Sequence, residues 1–111
     1  MKASEMIHSV DRATELLKAL AGRSRLLFLC HLSESEKSVG ELARLTGARD
    51  AAVSQQLALL RKDGLVAARR SGQTIYYSLA SEEAARLLAT LHGLYCDRPE
   101  QPAPAELEAD A

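Results

Sequence analysis

Tryptophan is absent, and one phenylalanine and three tyrosines are the only aromatic side chains, so no aromatic-rich core can form. The interior has to come from Leu, Ala and Val, and Leu and Ala favour helices because they lose little freedom on entering one. Two cysteines are too few for a disulfide scaffold, and a reducing compartment would keep both as thiols. No apolar run approaches the roughly 20 residues that span a bilayer, so no membrane role is expected. The opening stretch MKASEMIHSVD is polar and acidic where a signal peptide would be apolar, which points to a cytoplasmic protein. Also missing are a Cys-x-x-Cys pair, a Gly-rich phosphate loop and a paired-carboxylate cluster, so an enzyme is not expected. A thiol oxidoreductase is the enzymatic alternative.

What is present suits one folded domain: 111 residues, 47% of them apolar. The net charge of −1 is unevenly spread. From Lys37 to Ser78 seven basic residues (Lys37, Arg44, Arg49, Arg61, Lys62, Arg69, Arg70) face three acidic ones, a local +4. From Asp97 to Ala111 five acids face one base, a local −4. A basic centre is what phosphate contact needs, because neutralising DNA phosphates releases counterions. A solvated charged face would look the same, so the pattern within the segment has to decide.

Residues 4–21 read as an amphipathic helix with Ile7, Val10, Leu16, Leu17 and Leu20 near helical spacing and Gly22 as its stop. Ser24 is positioned to cap a second helix whose apolar side is Leu26, Leu27, Leu29, Cys30 and Leu32. Ser38 and Glu41 have capping-box spacing for a short helix ended by Gly47. Asp50 is placed to cap a fourth helix that runs to about Lys62 and closes at Asp63-Gly64. The period then changes: residues 65–70 and 74–79 are β-type runs around Ser71-Gly72-Gln73, a hairpin signal. A last helix follows from a Ser81 cap to about Tyr95, with Ala84, Leu87, Leu88, Leu91, Leu94 and Tyr95 near one side. The expected organisation is a folded domain over 1–96 and a disordered, acidic, Pro- and Ala-rich tail over 97–111.

Two short helices joined by a Gly-containing turn form the helix-turn-helix pattern, whose second helix enters the major groove. In that second helix Val53, Leu57 and Leu60 make one core stripe, and Ala51, Ser54, Gln55, Ala58 and Arg61 lie on the outer face. Ser54 and Gln55 have the groups to bond base edges, and Gln56 sits towards the flank. Arg49 and Arg61 add charge at the two ends of the helix. Arg69, Arg70, Gln73 and Thr74 stand at the hairpin, where a wing meets phosphates or a minor groove. The expected fold is therefore mainly α with a β-hairpin wing, a winged helix-turn-helix in the order α-α-α-α-β-β-α. A helical hairpin with a polar outer face, or a pure dimeric interaction module, is the rival reading.

The segment SVGELARLTGARDAAVSQQLALLRKDGLVAARRSGQTIYYSL resembles the core of the ArsR family of bacterial winged-helix repressors, and the likeness extends over about residues 12–96. The resemblance implies a homodimer built by the first and last helices and a palindromic double-stranded operator as partner. It places the DNA contacts on Ser54, Gln55 and Gln56 and on the wing at Arg69, Arg70 and Gln73. Gln56 stands where many relatives carry His.

The ligand sets of the family's metal sensors are not found. The helix begun by Ser38 reads Glu41-Leu42-Ala43-Arg44-Leu45 where the thiol-rich set needs Cys-x-Cys, and the last helix supplies only His92. His31-x-x-Glu34 has a ligand spacing but lies in the wrong helix without partners. No metal and no cofactor is expected. Cys30 and Cys96 remain, and LLFLCHL and LHGLYC around them resemble the dithiol, persulfide-responsive (SqrR/BigR-like) branch of the family. That likeness implies a redox switch in which reactive sulfur species link the two thiols and operator DNA is released. Residue type alone leaves open an inert pair, since a Cys amid Leu and Phe is more often a core residue. A zinc site of Cys30, Cys96 and His92 would lack a fourth ligand.

Overall fold

The computed structural model describes residues 1–96; the acidic tail expected over 97–111 lies outside the described residues. The elements are α1 (Ala3–Met6), a 3-10 turn (Ile7–Ser9), α2 (Val10–Leu20), α3 (Arg23–Glu34), β1 (Lys37–Ser38), α4 (Val39–Thr46), α5 (Asp50–Lys62), β2 (Val66–Ser71), β3 (Thr74–Leu79) and α6 (Glu82–Tyr95). This is the winged helix-turn-helix expected from the sequence, with a short extra strand.

Each helix boundary has a chemical cause. At α4 the Ser38 hydroxyl accepts from the Glu41 amide at 3.2 Å, and the Glu41 carboxylate accepts from the Ser38 amide at 2.9 Å. That reciprocal bonding satisfies two otherwise orphaned donors, and the Ser38 bond holds the Glu41 carboxyl below its ordinary range. At the end of α5 the Leu65 amide reaches back to the Leu60 carbonyl and the Gly64 amide to that of Arg61. This Schellman closure needs a left-handed residue, which Gly64 supplies at φ 79°. Leu60 and Leu65 are both buried beneath it. At α6 the Ser81 hydroxyl accepts from the Ala84 amide at 3.1 Å.

The core is shared by all the helices of the central unit. Phe28 and Leu29 from α3, Leu42 from α4 and Val53, Leu57 and Leu60 from α5 are fully buried, with Ala84 and Leu88 of α6 closing one side. The sheet is antiparallel in the order β1-β3-β2, and its hairpin register runs from Val66↔Leu79 to Ser71↔Thr74.

Five expectations need correction. The first helix is broken into α1, a 3-10 turn and α2, because no side chain before Ala19 is buried to hold a continuous helix over β-branched Ile7 and Val10. Gly22, not Ser24, precedes α3, and Ser24 lies within its first turn. Arg49 is the extended residue before α5, so Asp50 sits inside the first turn, where its charge still suits the helix dipole. Phe28, Leu29 and Leu32 form the buried side of α3, which turns Cys30 outward to solvent rather than into the core. β1 is too short to show any alternation in sequence.

Candidate nucleic-acid interface and thiol pair

The turn between α4 and α5 is set by Gly47, whose φ of 77° ends α4 while its amide bonds the Ala43 carbonyl at 2.8 Å. With Val53, Leu57 and Leu60 buried, α5 is fixed in rotation, and its opposite side must face solvent. Ala51, Ser54, Gln55, Ala58 and Arg61 are all exposed there, with Gln55 nearest the centre of that face. Ala52, Leu59 and Lys62 are exposed alongside them; Lys62 is one of the basic residues counted above, whereas Ala52 and Leu59 give no sequence signal of an outer position. Arg49 is exposed just before the helix. Gln56 is half-buried, and its side-chain oxygen accepts a hydrogen bond from Nε of Arg25 at 3.1 Å.

The hairpin turns through Gly72-Gln73, with Gly72 at φ 62° in the position where a tight hairpin turn demands it. Arg70, Gln73 and Thr74 are exposed around that turn, and Arg70 donates from Nε to the Gly72 carbonyl at 3.2 Å. Arg69 is differently placed. Its guanidinium donates twice to the Glu36 carboxylate, from Nε at 3.2 Å and from Nη2, and lies 5.1 Å from the Tyr76 ring centroid. The hydrogen bonds from Arg69 hold the Glu36 carboxyl below its ordinary range, and Glu36 in turn raises Arg69. Neither Glu36 nor Arg25 gives any local signal, because their partners are 33 and 31 residues away in the chain.

Cys30 on α3 and Cys96 at the end of α6 are both exposed, on helices that pack together. The Cys30 thiol is pushed up mainly by partial burial, then by Cys96 and by Glu34. His31 pairs with Glu34 through Nδ1 at 3.6 Å, which occupies the His-x-x-Glu spacing seen in the sequence. Among the described residues no group of three or more His, Cys, Asp or Glu side chains is placed to hold a metal ion. Among them, too, no helix is long and apolar enough to cross a membrane.

A helix-turn-helix with an exposed polar face and a ribbon beside it define a winged-helix DNA-binding domain. The chain belongs to the ArsR family of bacterial regulatory proteins. Residues 22–68 match the family profile described as "Bacterial regulatory protein, arsR family". The chain is 45% identical over 96 residues to the transcriptional activator HlyU of Vibrio cholerae, covering 86% of this chain and 89% of that protein. The solved structure of the transcriptional repressor BigR from Xylella fastidiosa superposes with a TM-score of 0.81 at 38% identity, over 86% of this chain and 98% of that one. A homodimeric winged helix-turn-helix DNA-binding domain of Mycobacterium bovis, Mb0332, gives a TM-score of 0.70 at 34% identity, over 84% and 86%. The relatives are regulators by name rather than enzymes, and this chain is a transcriptional regulator of the same kind.

Proposed function

We propose that the chain is a cytoplasmic homodimeric repressor that holds a palindromic operator while reduced and releases it when reactive sulfur species or oxidants link Cys30 to Cys96. The observation that carries this reading is the placement of two exposed thiols, 66 residues apart in sequence, on helices that pack together. Ser54 and Gln55 read base edges in the major groove, with Gln56 at the flank, and Arg49, Arg61, Arg70, Gln73 and Thr74 meet the backbone. Arg69 belongs to the same wing but is held by Glu36. BigR, similar to this chain over most of its length, is described as a repressor and HlyU as an activator; the repressor reading follows BigR.

The dimer reading is supported by apolar surface left open among the described residues. Ile7 is 66% exposed, Leu17 58%, Leu94 49% and Tyr95 65%. A mainly apolar groove of about 330 Å³ between α2 and α6 is lined by Ala13, Leu16, Leu17 and Leu87, with Glu83 and Arg86. A second copy covers these side chains. Leu88 and Ala84 serve the chain's own core instead.

The chemistry is balanced as a two-electron exchange. One thiolate attacks the outer, sulfane sulfur of an organic persulfide, RSSH, to give a cysteine persulfide and release RSH. The second thiolate attacks the cysteine's own sulfur and expels hydrosulfide. Two thiols are oxidised to a disulfide, and the sulfane sulfur is reduced to hydrogen sulfide. If a second RSSH first converts the other cysteine to its persulfide and releases another RSH, attack of one cysteine persulfide on the other cysteine's own sulfur expels hydrosulfide and leaves a trisulfide.

The test is operator binding before and after treatment with an organic persulfide, with peptide mass spectrometry in parallel. A Cys30–Cys96 crosslink that rises as affinity falls is the expected result, with Cys30→Ser and Cys96→Ser each binding when reduced and failing to release. A serine variant that releases normally, or release by stoichiometric zinc, would refute the thiol switch.

A further inference from the structure

Helix α3 and the short segment that leaves it touch both DNA-contacting elements through side chains. In its first turn Arg25 donates from Nε to Gln56 on α5 at 3.1 Å and from Nη1 to the Lys18 carbonyl at the end of α2 at 3.4 Å. Two residues beyond its last turn Glu36 grips Arg69 of the wing, whose guanidinium is steadied over Tyr76. The next residues form β1, whose Lys37 and Ser38 pair with Tyr77 and Tyr76 on β3. Cys30 sits between the two clasps, five residues from Arg25 and six from Glu36.

The helix itself is stiff between these points. Its 12 residues span about 18 Å, and Phe28, Leu29 and Leu32 bury its inner side in the core. A rigid element pulled near its middle has to move or tilt as one body, displacing what its first turn holds and drawing along Ser35 and Glu36, which leave its last turn. The Glu36–Arg69 clasp is poorly suited to hold the fold together. Glu36 and Arg69 are exposed, and exposed ion pairs contribute little to stability. Their bidentate geometry fixes orientation instead.

We infer that Arg25 and Glu36 are positioning residues through which α3 carries the state of the thiol pair to the recognition helix and the wing. This rests on the thiol switch proposed above. Joining Cys30 to Cys96 shifts α3 against α6, Arg25 draws Gln56 and with it the reading face of α5, and Glu36 draws Arg69 and the hairpin. Arg69 thereby acts on DNA through the wing's orientation, while Arg70 supplies the free charge. Coupling along such a route need not be confined to it, but removing a contact that transmits it weakens the response measurably.

The experiment uses the full-length dimer and measures operator Kd reduced and after complete crosslinking by glutathione persulfide, verified by intact mass. The coupling ratio is the crosslinked Kd divided by the reduced Kd. Arg25→Lys and Glu36→Gln should crosslink like the wild type, keep its melting temperature, and show ratios about two- to thirtyfold smaller. The exchanged pair Glu36→Arg with Arg69→Glu should restore the ratio lost in Glu36→Gln, a recovery that mere loss of stability would not give. It also keeps the test intact should a single variant fold poorly. Wild-type ratios in both crosslinked variants would overturn the inference while leaving the switch standing. A wild type that crosslinks without losing affinity would overturn the switch itself, and the inference with it.

Discussion

Arg69 and Arg70 are adjacent in sequence and identical in charge, yet the structure gives them different tasks, and salt dependence separates the two. Arg70 is exposed beside the hairpin turn and donates to the Gly72 carbonyl, and among the described residues no carboxylate pairs with it before DNA arrives. A dimer carries two such wings. Arg70→Ala should remove two phosphate contacts and flatten the slope of log K against log salt by about 1.8. Between 50 and 200 mM salt, a slope change of that size makes the variant's deficit about twelvefold larger at the low end. Arg69 is already compensated by Glu36, so Arg69→Ala should displace the line downward with its slope nearly unchanged. Anisotropy titrations of a labelled operator at four salt concentrations measure both quantities at once. Equal flattening by the two variants would mean that Glu36 lets go of Arg69 on DNA, and the assignment of tasks would be wrong. No flattening by either would remove the wing from the phosphate surface.

Leu57 is fully buried on the core side of α5, and Leu57→Ala should cost about 2–5 kcal/mol in denaturant unfolding; a loss below half a kcal/mol would contradict the stripe that orients the helix. Leu17→Glu combined with Leu94→Glu should leave the fold intact by circular dichroism while shifting sedimentation to monomer and abolishing operator binding, because both side chains are exposed in the single chain. A variant that stays dimeric would place the interface elsewhere. The Cys30 thiol is pushed above its ordinary value, so at neutral pH it is protonated, and alkylation should accelerate as pH rises through the folded value. By linkage, the raised value contributes stability that is present below the unfolded thiol pKa and lost as pH climbs through the folded one. Cys96→Ser removes one of the causes and should shift the alkylation profile of Cys30 to lower pH; an unmoved profile would mean the thiols do not sense each other.

Local patterns announced most of this architecture because their causes are local. The Ser38–Glu41 box, Gly47 and the Asp63-Gly64 stop are written within a few residues of the boundaries they set, and the stripe of Val53, Leu57 and Leu60 shows at a glance which way α5 must face. Where the outcome depended on distant packing, the sequence was mute or misleading. The apolar residues at Ile7, Val10 and Leu17 have helical spacing, but the rest of the single chain does not cover them, and the helix there breaks. Cys30 stands among Leu and Phe in the chain and yet faces solvent, because Phe28, Leu29 and Leu32 claim the buried side. The clasps of Arg25 and Glu36 join positions more than 30 residues apart, and no spacing rule reaches that far.

Ser38 belongs to two structures at once, ending β1 against Tyr76 and opening α4 with its hydroxyl. That shared residue bears on any attempt to exchange specificities by grafting. A hairpin transplanted as residues 66–79 alone would arrive without the strand that flanks it, and would meet a foreign β1 whose Ser38 also starts the helix-turn-helix. A chimera that keeps both modules in register has to carry residues 36–38 along with the ribbon, so the transferable unit is discontinuous in the chain.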